Sequence, residues 1–116
     1  MTPTDVEDLS KDNKVKVVKG PGGEERFLAF NFKIMPYGEK SSEPNADKAK
    51  AVRQAVASLI DRNELATKVY KSTYTPLYSF IPDGLSGHDD TLKEAYGDGS
   101  GKPDAAKAKK TLEAPV

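Results

Sequence analysis

The sequence lacks several residue types on which much protein chemistry depends. It has no cysteine, which excludes disulfides, thiolate nucleophiles and the usual cysteine-based zinc sites. It has no tryptophan, one histidine and two methionines, which leaves little for binding a transition metal. Basic and acidic residues number 18 each, so no net charge of either sign would attract nucleic acid or an anionic membrane.

Long apolar runs are absent as well. No stretch approaches the roughly 18 consecutive apolar residues of a membrane-spanning helix. The first residues, MTPTDVEDL, are acidic and lack the basic and apolar regions of a signal peptide. A length of 116 residues is enough to bury one modest core. Composition therefore predicts one small domain, with no export signal in the sequence as given.

The first third of the chain has signals for one helix and two strands. Thr4 and Glu7 have the spacing of a capping box, which predicts a short helix. KVKVVK (14–19) indicates a strand, GPGG (20–23) a hairpin turn and RFLAFNF (26–32) a second strand. Because the second run is apolar on both faces, we expect a central strand that is buried on both sides. Residues 33–45 are polar and predict a surface loop that wraps or is mobile.

Residues 45–61 have the strongest helical pattern. Apolar residues recur there at three- and four-residue spacing, namely Val52, Ala55, Val56, Leu59 and Ile60. Asp61 and Glu64 have capping-box spacing and predict a second helix over 63–71. Its inward residues would be Leu65, Val69 and Tyr70.

The remainder predicts a loop, a short turn and a last helix. Residues 72–90 have no clean period, which indicates an extended and partly buried loop. A short helical turn would end at Gly97. Asp104 is the expected N-cap of the last helix, which places Ala105, Ala108 and Leu112 near one face.

The sequence contains no recognisable catalytic constellation. Adjacent acids such as Asp89 and Asp90 do not converge on one point, so they do not indicate acid–base catalysis. GPGG lacks the Lys and Ser/Thr of a phosphate loop, and GDGSG lacks the closing Glu of a calcium loop. His88 beside these acids could belong to a metal site, but a solvated loop histidine is the favoured interpretation. We predict no catalytic residue, no metal and no cofactor.

Tyrosine and arginine residues are the candidates for ligand contact. Tyr74 and Tyr78 combine an apolar ring with a hydroxyl, which suits recognition of peptides or sugars, with core packing as the alternative. Arg53 and Arg62 could hold an anion by a bidentate contact, although structural pairing with a nearby Asp or Glu is favoured. These features predict an α/β or α+β domain without catalytic machinery, and they do not select a function.

The order of the motifs resembles one family. RFLAFNF, a loop, AVRQAVASLIDRNELATKVY, TPLYSFIPDGLSGHDD and PDAAKAKKTLEA follow one another as in the extracytoplasmic solute-binding proteins of ABC transporters, family 5, the peptide- and oligopeptide-binding group. Arg53, Asp61 and Arg62 look like part of that family's signature helix. Phe30 and Asn31 look like the end of its preceding strand. The resemblance covers almost the whole chain.

The resemblance implies an internal fragment of a longer protein with two lobes that close on a ligand. Residues 1–33 would be the end of one lobe with its crossover strands, and residues 46–116 the start of the second lobe. The fold would be α/β, with a few β-strands packed against about four helices. Phe27, Phe30 and Asn31 would lie near the cleft, whereas the main ligand-anchoring acid would lie beyond Val116.

The resemblance also implies a function. The longer protein would capture peptides or other small solutes outside the membrane and deliver them to an ABC permease, catalysing no reaction and binding no nucleic acid. It would be exported and anchored at the membrane by a lipid. The alternative is a free-standing interaction module that holds a partner with a surface of Tyr70, Tyr74, Tyr78 and Phe80.

Overall fold

A computed structural model of the chain describes residues 1–96 and 99–115. Within those ranges the helices are α1 (Pro3–Ser10), α2 (Ala46–Leu59), α3 (Arg62–Glu64) and α4 (Ala105–Glu113). One π-helical turn, Leu65–Val69, continues α3 directly. The other described residues form turns and irregular segments, while Gly97, where a helical turn was expected to end, lies outside the described residues.

The predicted α/β fold is wrong, because residues 1–96 and 99–115 contain no β-strand. The two expected strands, 14–19 and 26–32, have no regular structure, and Val18 and Phe27 are 79% and 73% exposed. No backbone hydrogen bond joins the two segments. A hairpin of two strands is marginal in water unless a third strand or a helix covers it. A run that is apolar on both faces needs more neighbours than this chain supplies.

Helix α1 begins earlier than the sequence predicts. The capping box is made by Thr2 and Asp5 rather than by Thr4 and Glu7: Thr2 Oγ1 accepts from the Asp5 N–H at 3.1 Å, and Asp5 Oδ2 accepts from the Thr2 N–H at 2.9 Å. Pro3 occupies the first helical position, where its missing N–H costs nothing. The hydrogen bonds from Thr2 lower the pKa of Asp5.

The predicted long helix is confirmed as α2, which packs against α4. Asn45 caps α2, its Oδ1 accepting from the Lys48 N–H at 3.0 Å. The buried residues of the two helices are small: Ala49, Ala55 and Ser58 on α2 and Ala108 on α4. Leu59, predicted to face the core, is 49% exposed. Small side chains allow the two helices to approach closely, but they bury little apolar area.

The start of α4 is joined to the end of α2. Asp104 is the N-cap, as predicted, and its Oδ1 accepts from the Lys107 N–H at 2.9 Å. The Asp104 N–H donates to the Ser58 carbonyl at 2.8 Å. One residue therefore both starts α4 and fixes it to α2.

Helix α3 starts where the sequence predicts and then widens. The Asp61 side chain accepts from the Glu64 N–H at 2.7 Å. From Leu65 the backbone hydrogen bonds join residues five apart, which is the π-helical pattern: the Tyr70 N–H donates to the Leu65 carbonyl at 3.0 Å. The wider turn rotates the side chains relative to an α-helix, so Ala66 is buried while Leu65 and Val69 are 44% and 58% exposed. The expectation that Leu65 and Val69 face inward is wrong.

Residues 33–45 form a compact series of turns packed on α2. The Glu39 N–H donates to the Phe32 carbonyl at 3.1 Å, and the Asn45 N–H donates to the Tyr37 carbonyl at 3.0 Å. Met35 and Gly38 are buried inside these turns. The segment thus has extensive internal hydrogen bonding of its own.

The chain as a whole is elongated and its core is thin. It measures 60 × 28 × 27 Å with a radius of gyration of 17.7 Å, whereas a compact domain of this length has about 13 Å. The buried apolar residues of the described chain are Met35, Ala49, Ala55, Ala66, Tyr78 and Ala108. No helix among the described residues is both long and apolar enough to cross a membrane.

Replacing Gly38 by Ala should destabilise the 33–45 turns. An added Cβ would lie 2.5 Å from the Phe32 carbonyl oxygen and 2.9 Å from that of Met35. We expect a loss of about 1–3 kcal/mol in the free energy of unfolding, measured by urea denaturation. Gly20→Ala is the matched control, because a Cβ there meets nothing within 4 Å, and it should stay within about 0.5 kcal/mol of the unsubstituted chain. Equal losses for both variants would contradict this account.

Candidate functional site

An open cavity of about 320 Å³ lies between α3, the 76–93 segment and the turn at 99–101. We call it the Tyr78 cavity. Its lining is mainly polar and consists of Asn63, Pro76, Tyr78, Asp83, Asp90, Lys93, Gly99, Ser100 and Gly101. The volume falls at the lower end of the range for small-molecule sites.

Tyr78 is held in the cavity wall by Arg62. The guanidinium carbon of Arg62 lies 4.7 Å from the centre of the Tyr78 ring, within cation–π distance. Arg62 Nη1 also donates to the Ala57 carbonyl at 3.1 Å, which links this wall to α2. Tyr78 is only 8% exposed, and its Oη has no hydrogen-bond partner among the described residues. The ring is therefore a packing element, while its hydroxyl is buried without compensation.

His88 connects two acids of the cavity wall. Its Nδ1 lies 2.7 Å from the Ile81 carbonyl oxygen, and its Nε2 lies 3.3 Å from Asp83 Oδ1 and 3.2 Å from Asp90 Oδ1. The hydrogen bond to Ile81, followed by the interactions with Asp90 and Asp83, raises the pKa of His88. Its side chain is 19% exposed. The interpretation of His88 as a solvated loop residue is wrong.

The opposite wall depends on a glycine. The Asn63 N–H donates to the Gly101 carbonyl at 3.2 Å, and Asn63 Nδ2 donates to the Ser100 carbonyl. Gly101 has a φ of +83°, and a Cβ there would lie 2.6 Å from Asn63 Oδ1. Glycine thus permits the 99–101 turn to close against α3.

Tyr74, the other tyrosine singled out by the sequence, lies in a separate cluster. Its ring centre is 4.5 Å from that of Tyr70, and Arg26 lies 5.7 Å from the Tyr74 ring. Tyr74 Oη donates to Glu24 Oε2 at 3.3 Å. The hydrogen bond from Arg26 lowers the pKa of Glu24. This cluster connects the 24–26 segment to the residues that follow the π-helical turn.

The remaining predicted contact residues also lie outside the Tyr78 cavity. Phe27 is largely exposed and Phe30 is partly buried. Asn31 Oδ1 accepts from the Lys33 N–H at 3.1 Å, so this side chain takes part in a local turn. Of the five predicted contact residues, the structure brings only Tyr78 into the cavity wall.

The two arginines contact rings rather than carboxylates. The Arg53 guanidinium lies 4.7 Å from the Phe32 ring, and its Nη1 is 3.6 Å from the Met35 sulfur. Neither Arg53 nor Arg62 belongs to an ion pair within the described parts of the chain. The expectation of pairing with Asp or Glu is therefore wrong for both. Arg53 instead fixes the end of RFLAFNF to α2.

The sequence analysis missed most of the cavity wall. Asn63, Asp83 and Lys93 were not considered, because nothing local distinguishes them from other polar surface residues. A usable signal did exist in DGLSGHDD (83–90). Its two glycines favour a reversal of chain direction, which can bring Asp83, before His88, close to Asp90, after it. In residues 1–96 and 99–115, no group of three or more His, Asp or Glu side chains has an arrangement that could hold a metal ion.

Comparison with known families defines the class of protein. The family model described as "Bacterial extracellular solute-binding proteins, family 5 Middle" matches residues 1–115. The chain therefore belongs to the family 5 bacterial extracellular solute-binding proteins. This family serves solute binding for ABC import outside the cytoplasm and is generally non-enzymatic. A search of curated proteins and a search of solved structures each found no significant match.

Replacing Tyr78 by Phe should not destabilise the chain. Phe keeps the ring beneath Arg62 and removes a buried hydroxyl that lacks a partner, so the free energy of unfolding should stay the same or rise by about 1 kcal/mol. Tyr78→Ala is the comparison, with an expected loss of about 3 kcal/mol from the missing ring. Urea denaturation measures both. A loss of about 1 kcal/mol or more with Phe would show that the hydroxyl makes a hydrogen bond.

Proposed function

We propose that the chain is part of a longer, two-lobed solute-binding protein that captures peptides outside the membrane and delivers them to an ABC permease. The observation that carries this proposal is the match of the family 5 model over residues 1–115. Residues 1–33 belong to the end of one lobe and residues 46–116 to the start of the other. The longer protein is exported and anchored by a lipid.

The thin core supports the proposal that further chain covers this one. Large apolar side chains are exposed along its length, with Phe27 at 73%, Ile34 at 73% and Phe80 at 89%. A shape 60 Å long with mainly alanines buried is unusual for a domain that folds alone. Contact with the remainder of two lobes would remove these side chains from water.

The proposed mechanism is closure of the two lobes around the peptide. A ligand that contacts both lobes favours the closed state in proportion to its difference in affinity for the closed and open states. We assign Phe27, Phe30 and Asn31 to the cleft, with Tyr74 and Tyr78 as further contact residues. Phe27 is accessible for such contact, whereas Tyr78 is buried and would act through its position in the cavity wall.

One observation favours the alternative of a free-standing interaction module. Phe80 is the most exposed aromatic side chain singled out for that surface, at 89%. The other three residues of the predicted surface do not form one exposed patch with Phe80. Tyr70 and Tyr74 contact each other, and Tyr78 is buried under Arg62. The calorimetric comparison below separates the two functions.

Calorimetric titration of peptides against the longer protein and against this chain tests the proposal. We expect the longer protein to bind and this chain alone to bind far more weakly, because it supplies only part of the cleft. Equal affinities would contradict the two-lobe account and favour the interaction module. If the longer protein bound a different solute and no peptide, peptides would be excluded as the ligand, while the two-lobe account would stand.

Phe27→Ala in the longer protein should weaken peptide binding. Loss of one aromatic contact is expected to raise Kd about tenfold, equivalent to ~1.4 kcal/mol. Leu28→Ala is the matched control, since Leu28 adjoins Phe27 and is 66% exposed, close to the 73% of Phe27. Calorimetry on both variants gives the comparison. An unchanged Kd for Phe27→Ala would remove Phe27 from the cleft.

A further inference from the structure

The contacts of His88 specify its protonation state. The Ile81 carbonyl can only accept a hydrogen bond, so Nδ1 at 2.7 Å must carry a proton. In a neutral imidazole with that tautomer, Nε2 would be an acceptor. It would then face two carboxylates, Asp83 at 3.3 Å and Asp90 at 3.2 Å, which also only accept when ionised. Only the imidazolium satisfies all three contacts.

The charged groups around His88 favour the same state. Among the residues that the structure describes, Asp83 and Asp90 are the two charged groups that contact the ring. Asp89 is adjacent in sequence, but its carboxylate accepts from the Thr91 N–H and Oγ1, both at 2.9 Å, and not from the imidazole. Lys93 is a positively charged residue that lines the same cavity. The ring therefore contacts negative charge on one edge and a carbonyl dipole on the other.

The His88 contacts close a loop of the chain. Ile81 and Asp83 lie in the first part of the 81–90 turn and Asp90 at its end, while Gly87, with a φ of +93°, lies between them. Backbone bonds inside the loop are few, with Leu85 N–H donating to the Pro82 carbonyl at 3.0 Å and the His88 N–H to the Leu85 carbonyl at 3.4 Å. The imidazole thus supplies the contacts that connect the two ends of the 81–90 turn.

We propose that Asp83, His88 and Asp90 form a pH-dependent clasp, which holds the 81–90 turn closed while His88 is protonated and releases it when His88 loses its proton. Asp83 and Asp90 are also walls of the Tyr78 cavity, so release changes the shape and charge of that cavity. This inference stands independently of which solute the longer protein carries.

The direction of the pH dependence follows from linkage. The pKa of His88 is raised in the folded chain relative to its ordinary value. The clasp therefore contributes its full stability at pH values below the pKa that His88 has in the unfolded chain. That contribution is lost as the pH rises through the higher pKa that His88 has in the folded chain.

NMR titration of the whole 116-residue chain tests the clasp. His88 is the only histidine, so its imidazole signals need no separation from others. We expect its midpoint to lie above the midpoint of the same residue in the urea-unfolded chain. Backbone amide signals of Asp83, Gly84 and Asp90 should change with the same midpoint as the imidazole. An imidazole midpoint equal to that of the unfolded chain would overturn the proposal, as would amide signals that do not follow it.

Three substitutions of neighbouring acids separate the clasp from general electrostatics. Asp83→Asn and Asp90→Asn should each lower the His88 midpoint, because each removes a carboxylate in contact with Nε2. Asp89→Asn is the matched control: it removes the same charge one residue from His88 but no contact with the ring, so it should lower the midpoint less. Circular dichroism of each variant verifies that the helices are retained. Equal midpoint shifts for Asp89→Asn and Asp90→Asn would contradict a specific clasp.

Discussion

The packing of α2 against α4 is the interaction on which the walls of the Tyr78 cavity depend. Its buried residues are only alanines and a serine, and the Asp104 N–H to Ser58 carbonyl bond fixes its position along the helices. Because α4 starts beside the end of α2, the 99–101 turn is brought against Asn63. Arg62, at the start of α3, then spans from the Ala57 carbonyl to the Tyr78 ring. The cavity is a consequence of this one helix pair.

The helices could be predicted from the sequence because their signals are local. Caps at Asp61 and Asp104 act within three residues, and the apolar spacing in 46–59 acts within one helix. Strands could not be predicted in the same way, since a strand exists only with a partner and the pairing is non-local. RFLAFNF has strand composition without a described neighbour to bond to. The prediction that Leu65 and Val69 face inward was wrong, because it assumed the 3.6-residue period of an α-helix and one π-helical turn has a longer period.

Less of the candidate site could be predicted, and the reason is again distance in the chain. The Tyr78 cavity combines α3, residues 76–93 and residues 99–101, and no period links these segments. Tyr78 was identified by residue type alone. Asp90 was noted from the sequence as a neighbour of His88, whereas the role of Asp83 became visible only in the structure, where His88 contacts both acids. The arginines illustrate a second difficulty: a guanidinium can stabilise a ring face as well as a carboxylate, and sequence does not decide between them.

The exposed RFLAFNF run has a consequence for the behaviour of the isolated chain in solution. Residues 27–30 make no backbone hydrogen bond to another described residue, and the run contains no proline and one charge. Unpaired backbone beside Phe27 and Leu28 is a template for intermolecular β-pairing, the chemistry of cross-β aggregates. At high concentration the chain should therefore self-associate through this run.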